Sequence, residues 1–173
     1  GMATPFPVLY RDDDLLVIDK PSGWLSIPDR YDPDAPVVVR DLRESEGELF
    51  VVHRIDKDTS GVLIFARNEE AHRGLSEAFE THAVAKTYLA IVRGSPSWDE
   101  ESCDLPLKVD GDRRHRTIID AARGKASLTR FKVLERYRGS GFSASLVEAR
   151  PETGRTHQIR VHLTALGFPI LCD

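Results

Sequence analysis

The stretch His53-Arg54-Ile55-Asp56-Lys57-Asp58-Thr59-Ser60-Gly61 runs straight into Val62–Ala66, a continuous apolar segment of strand length. A carboxylate near an arginine has its ionised form favoured, which equips Asp56 to act as nucleophile or base at neutral pH. Two further polar clusters adjoin apolar elements, Lys86-Thr87-Tyr88 and Gly154-Arg155-Thr156-His157-Gln158-Ile159-Arg160. A tyrosine such as Tyr88 offers a flat face for stacking and a hydroxyl that can carry a proton. Arg160, in the first turns of an expected helix, is a candidate cation for Asp56. Together these groups suit chemistry on an aromatic base. Residue types alone leave the alternative open: loop charges held by a local salt bridge, since ion-pair networks are common.

Other chemistries lack their signatures. Gly139-Ser140-Gly141 has neither the third glycine nor the helix of a dinucleotide fingerprint, and Gly124-Lys125 lacks the upstream glycine of a phosphate loop. His157 and His162 are five apart and do not share a zinc-protease face. No nucleophile elbow is present. A glycosidic hydrolase built on Asp56 would need a second carboxyl group as acid, and none stands out. Neither a metal nor an organic cofactor is expected.

The elements that must position these groups follow from periodicity. Leu15–Ile18 reads as a strand entered through the polar turn Arg11–Asp14 and ended by Lys20-Pro21-Ser22-Gly23. Residues 26–36 read as a loop, 37–46 as a short helix and 50–52 as a strand. Val62–Ala66 has the pattern of a strand covered on both faces. Asn68 is suited to cap a helix that carries Ala71, Leu75, Ala78 and Phe79 on one stripe. Further strands are expected near 86–92, 115–120, 127–137 and 142–149, with Gly139-Ser140-Gly141 as a hairpin turn. The last helix is expected over 156–166, with Thr156 as N-cap, Ile159, Leu163 and Leu166 on one face, and Gly167 with Pro169 as the stop. The expected fold is α+β: a largely antiparallel, mixed sheet with a few flanking helices.

The 173 residues, 40% hydrophobic and 30% charged, fit one globular domain. Gly1-Met2 reads as an expression remnant. There is no secretory signal pattern and no apolar run of the roughly 18 residues that would span a bilayer. Cys103 and Cys172 lie far apart in no metal or redox spacing and read as ordinary thiols, so a cytoplasmic location is expected. Net charge is −4, from 24 basic and 28 acidic residues, which argues against a uniformly phosphate-binding surface. Distribution matters more than the total. Basic groups gather at Arg113-Arg114-His115-Arg116 and over Arg155–His162.

The chain strongly resembles the RluA-type family of RNA pseudouridine synthases. Four stretches carry the resemblance: Val17–Gly23, His53–Gly61, Lys86–Tyr88 and Thr153–His162. The second and fourth are long and specific. The resemblance implies the pseudouridine synthase catalytic fold over residues 8–173 and isomerisation of uridine in rRNA or tRNA without a cofactor. In that reaction the bond from uracil N1 to ribose C1′ breaks, the base turns, and it rejoins through C5. By motif, Asp56 is the essential aspartate and Arg54 the residue that helps displace the target base, which must leave its stack before its ribose is attacked. Tyr88 is the tyrosine that stacks on uracil and moves a proton at C5, and Arg160 the basic partner of the aspartate. His53, Thr59, Ser60 and Gly61 shape the loop rather than react. Arg155, Arg113, Arg114, Arg116 and Lys125 are candidates for RNA contact, although a solvated hairpin explains the 113–116 cluster equally well.

Phe168 and Cys172 stand where the family often has His and Gly, and the family pattern usually continues past Asp173. A chain lacking its C-terminal segment is therefore expected, with no S4-type module ahead of Val8 and a monomeric form. A non-catalytic RNA-binding module is the competing reading; retention of Asp56, Tyr88 and Arg160 together argues against it.

Overall fold

The computed structural model describes residues 6–171, so the expectations for Gly1-Met2 and Cys172 lie outside the described residues. Two compact units divide the chain between Val84 and Ala85.

In the first unit a four-stranded antiparallel sheet has the order β1-β2-β4-β3. The polar turn before Leu15 joins β1 (Val8–Arg11) to β2 (Leu15–Lys20). Its geometry comes from Asp12, whose carboxylate accepts the N–H groups of Asp14 and Leu15 at 2.8 and 2.7 Å. Strand β1 has no clear sequence pattern because its side chains are largely exposed. On β2, Leu16, Ile18 and Lys20 are buried at alternate positions, the period of a strand with one inner face. Strand β3 (Phe50–Val51) pairs with the far side of β4 (Gly61–Ala66).

Strand β4 corrects one expectation. Val62 is 55% exposed while Leu63 and Phe65 are fully buried, so the strand is not covered on both faces along its length. Cover is lost at the end nearest the charged loop.

Helix α1 (Val38–Glu46) buries Val38, Val39 and Leu42. Helix α2 (Glu69–Glu80) is capped as expected, Asn68 accepting from the N–H of Ala71 at 2.8 Å. The same amide donates to Asp14 at 2.7 Å and so ties the cap to the β1–β2 turn. Its stripe of Ala71, Leu75, Ala78 and Phe79 is half-buried.

The second unit is organised by a four-stranded sheet of order β5-β10-β9-β6. Its centre is the hairpin of β9 (Thr129–Gly139) and β10 (Phe142–Pro151), with Gly141 at φ +67° in the turn. Strand β5 (Tyr88–Arg93) starts two residues later than its sequence pattern. Strands β6 (Glu100–Cys103) and β7 (Leu107–Lys108) are too short and polar to announce themselves, and the 115–120 strand shrinks to β8 (Ile118–Ile119), paired with β7. Val92, Cys103, Phe131, Val147, Ala149 and Leu163 form the buried core, against which Tyr88, Ile159 and Leu166 pack.

Helix α3 (Gln158–Leu166) begins later than expected. Its N-cap is His157, in the left-handed region at φ 56°, and not Thr156; Gly167 at φ 96° closes it as expected. The α+β expectation holds, but among the described residues the strands divide among three sheets whose ladders are all antiparallel. An isolated Leu25–Val37 bridge is parallel. Among the described residues no helix is long and apolar enough to cross a membrane.

Candidate active site

Asp56 sits half-buried in the loop between β3 and β4, and Arg54 is exposed two residues earlier. The Asp56 carbonyl accepts from the N–H of Thr59 at 3.1 Å, closing a tight turn that brings the chain to Gly61. Gly61 enters β4 at φ +129°, a conformation that a side chain would strain. His53 anchors the start of this loop. Its Nε2 accepts from the N–H of Ile64 at 2.9 Å, which leaves the ring proton of the neutral imidazole on Nδ1. The expectation that His53 shapes the loop is thus given a geometry.

Beneath the loop lies Lys20, fully buried at the end of β2. Its ammonium donates to the carbonyls of Pro21, Trp24 and Lys57 at 2.9, 2.7 and 3.0 Å. Burial pushes its pKa down to about 8, while the nearby charges of Asp58 and Asp56 act to retain the proton. Nothing in residue type distinguishes Lys20 from a surface lysine. The signals in the sequence are its place in the Val17–Gly23 stretch that carries the family resemblance and its register on β2, two places beyond buried Ile18.

In the second unit, Tyr88 opens β5 opposite Ala149 on β10 and packs against the core. Lys86, whose pKa is lowered by burial, places its Nζ 3.5 Å from where a Cβ on Gly154 would stand. The unit therefore brings the Lys86–Tyr88 and Thr153–His162 stretches together. Arg160 is half-buried in the first turn of α3.

A buried polar chain fastens that helix start. Thr153 Oγ1 donates to Gln158 Oε1 at 2.7 Å, and Gln158 Nε2 donates to Thr129 Oγ1 at 2.9 Å. Thr129 is 2.8 Å from His162 Nδ1, and His162 Nε2 is 2.9 Å from the carbonyl of Leu105. The Leu105 carbonyl can only accept, so His162 carries its proton on Nε2 and Thr129 donates to Nδ1. Desolvation lowers the His162 pKa, against the favourable bond to Leu105. Sequence reasoning does not single out Gln158 and His162 for this role; their types suit it, but the network depends on Thr129, about thirty residues away along the chain.

The candidate RNA contacts differ in availability. Arg113 and Arg114 are exposed in the loop between β7 and β8. Arg116 is bound to Asp112, its Nε donating at 2.7 Å, and the same carboxylate accepts the N–H groups of Arg114 and Arg116 at 3.0 Å each. These bonds hold the Asp112 carboxyl below the usual range. Lys125 is exposed, and neighbouring Ala126 accepts from Arg155 Nη2 at 2.9 Å, so these two basic residues share one surface segment.

Comparison with solved structures places this architecture among pseudouridylate synthase domains. Human RNA pseudouridylate synthase domain containing 1 superposes with a TM-score of 0.82 at 31% identity, covering all of this chain and 70% of that one. Human RNA pseudouridylate synthase domain containing 4 gives 0.78 at 27%, covering 96% and 67%. The family model for RNA pseudouridylate synthase matches residues 14–165, and the chain belongs to that family. Among its relatives is the dual-specificity RNA pseudouridine synthase RluA of Vibrio vulnificus, 38% identical over 96% of this chain and 67% of that enzyme. Ribosomal large subunit pseudouridine synthase D of Zymomonas mobilis is 37% identical over 98% of this chain, which spans 55% of its length.

Proposed function

We propose that the chain isomerises uridine to pseudouridine within structured rRNA or tRNA, with Asp56 as the essential carboxylate. The observation that carries this reading is the Asp56 loop itself. In this family member Asp56 stands at a tight turn whose neighbouring backbone is hydrogen-bonded on both sides. A merely solvated charge has no need of such support. The net reaction consumes no co-substrate: the N1–C1′ bond breaks, C5–C1′ forms, and the proton lost from C5 is balanced by one gained at N1. Tyr88 serves as the stacking and proton-moving group and Arg160 as the assisting cation, while Arg54 takes the place of the displaced base.

RNA is held through local basic groups, despite the net charge of −4. Arg113, Arg114, Arg116, Lys125 and Arg155 are the phosphate contacts of this reading. The names of the relatives support an RNA substrate, one referring to the ribosomal large subunit and another to dual specificity for RNA. The working form is a cytoplasmic monomer.

Asp56→Asn tests the assignment. The variant keeps shape and hydrogen-bonding capacity but loses the charge, and removal of an essential group costs roughly several powers of ten in rate. Pseudouridine formation should vanish while the melting temperature and RNA affinity hold. Wild-type turnover by this variant rejects the role.

A further inference from the structure

The loop over residues 26–36 leaves and rejoins the first unit beside the Asp56 loop. At its start Ser26 Oγ donates to the carbonyl of Ile55 at 2.8 Å and accepts the Ile55 N–H at 3.1 Å. At its end the Pro36 carbonyl accepts from the N–H of Leu25 at 2.9 Å, so the two ends meet. Between them the Asp32 carboxylate lies 3.3 Å from the ammonium of Lys57. That ion pair is nearly half exposed and adds little stability, but it shows where the tip of the loop stands. Tyr31 adjoins Asp32 in the chain and Asp56 adjoins Lys57, so one ion pair separates the tip from the carboxylate.

Two successive turns shape the tip. The Asp32 N–H donates to the Asp29 carbonyl at 3.1 Å, and the Ala35 N–H to the Asp32 carbonyl at 3.2 Å, with Pro33 at the second position of the latter turn. The Asp29 carboxylate also accepts the Tyr31 N–H at 2.9 Å. Arg30 and Tyr31 are therefore the central pair of the first turn, and both are exposed. The Arg30 guanidinium lies over the Tyr31 ring, 4.7 Å from its centroid, and donates to the Tyr31 hydroxyl at 2.6 Å. Pro28, Pro33 and Pro36 restrict the backbone around them. The result is an aromatic ring, 51% exposed, that is held by its neighbours and does not serve the core.

We propose that Arg30 and Tyr31 form a platform on which an unpaired nucleobase flanking the target uridine stacks. The inference rests on the reading of this chain as an enzyme that isomerises uridine in RNA, and adds the element that grips a neighbouring nucleotide. Splayed RNA bases are recognised by aromatic rings and guanidinium planes. Extruding the target uridine deprives the adjoining bases of a stacking neighbour, and the platform supplies one. The local charges favour a base over a phosphate. Asp29, Asp32 and Asp34 surround the one arginine of the loop, so a phosphate backbone is repelled while the uncharged face of a base is not.

The experiment uses an RNA stem-loop drawn from rRNA or tRNA in which the wild type forms pseudouridine. It measures Kd, kcat and KM for the wild type, Tyr31→Ala, Tyr31→Phe and Arg30→Gln. Tyr31→Ala should raise Kd and KM about tenfold, the effect of one lost base–aromatic stack, with kcat at saturating RNA within about twofold. Tyr31→Phe keeps the ring and should bind nearly as the wild type does. Removing the bases beside the target one at a time should, at one position, weaken wild-type binding by about tenfold, and there Tyr31→Ala should add no further loss. Salt titrations of Tyr31→Ala and Arg30→Gln should keep the wild-type slope. Wild-type affinity in Tyr31→Ala overturns the proposal, as do a Phe variant as weak as the Ala variant and fully additive losses at every abasic position. A log–log salt slope reduced by about 0.7 in Arg30→Gln makes Arg30 a phosphate contact and also overturns it. If the wild type forms no pseudouridine in rRNA or tRNA, the functional reading falls. The platform is then judged by binding of a short oligouridylate, which Tyr31→Ala must weaken for it to stand.

Discussion

The imidazole of His53 stacks on the ring of Phe79 with centroids 4.4 Å apart and planes within 8° of parallel. This stacking joins the start of the Asp56 loop to the last turn of α2, while the same imidazole accepts from Ile64 on β4. Helix, loop and strand thus meet at one side chain.

Replacing His53 by Phe keeps the stack but leaves the Ile64 N–H without its acceptor. An unsatisfied, partly buried donor costs about 1–3 kcal/mol, so the melting temperature should fall. Urea denaturation measures the loss. Preserved stability would mean that Ile64 finds water or another acceptor.

Tyr88→Phe retains the ring that packs against the second unit's core and removes only the hydroxyl. Stability and RNA affinity should be unchanged. Turnover should fall about a hundredfold or more if the hydroxyl moves a proton in the reaction. Unaltered single-turnover rates would confine Tyr88 to stacking.

Neutralising Arg113 and Arg114 should flatten the salt dependence of RNA affinity by about 0.9 in log–log slope for each duplex phosphate that is no longer neutralised. Adding Arg116 to the set should change it less, because that guanidinium is already held by Asp112. Titrations at several salt concentrations give the slopes. Equal slopes for the wild type and the triple variant would remove this loop from the RNA surface.

His162 makes stability pH-dependent with a definite sign. Burial lowers its folded-state pKa below the ordinary 6.5, so at mildly acidic pH the unfolded chain binds a proton that the folded chain refuses. Its contribution is intact above the unfolded pKa and is lost as pH falls from there through the lowered folded value. Below that window protonated Nδ1 can no longer accept from Thr129 and becomes a donor instead, so the Thr129 hydroxyl proton loses its acceptor. Unfolding free energies at several pH values should therefore drop less steeply on acidification in His162→Gln than in the wild type. Parallel curves would assign the acid sensitivity to other groups.

Local pattern is sufficient for the elements whose driving force is local. Alternation marks β2 and the β9–β10 hairpin, the Asn68 cap and apolar stripe mark α2, and Gly167 marks the end of α3. The motif stretches likewise single out Asp56, Tyr88 and Arg160 as candidates, since they are written in residue types along the chain. Short strands such as β6 and β7 leave no such trace, because two to four residues paired at an edge hold too few apolar side chains to set a period. The backbone at His157 is not legible either: its left-handed conformation arises where Gln158 is pulled into bonds with Thr129 and Leu128. Above all, composition gives Lys20 and Ser26 no special status. Their burial and their bonds to residues 55 and 57 exist only once β2 is laid against β4, because partners some thirty residues apart meet through sheet register and not through sequence spacing.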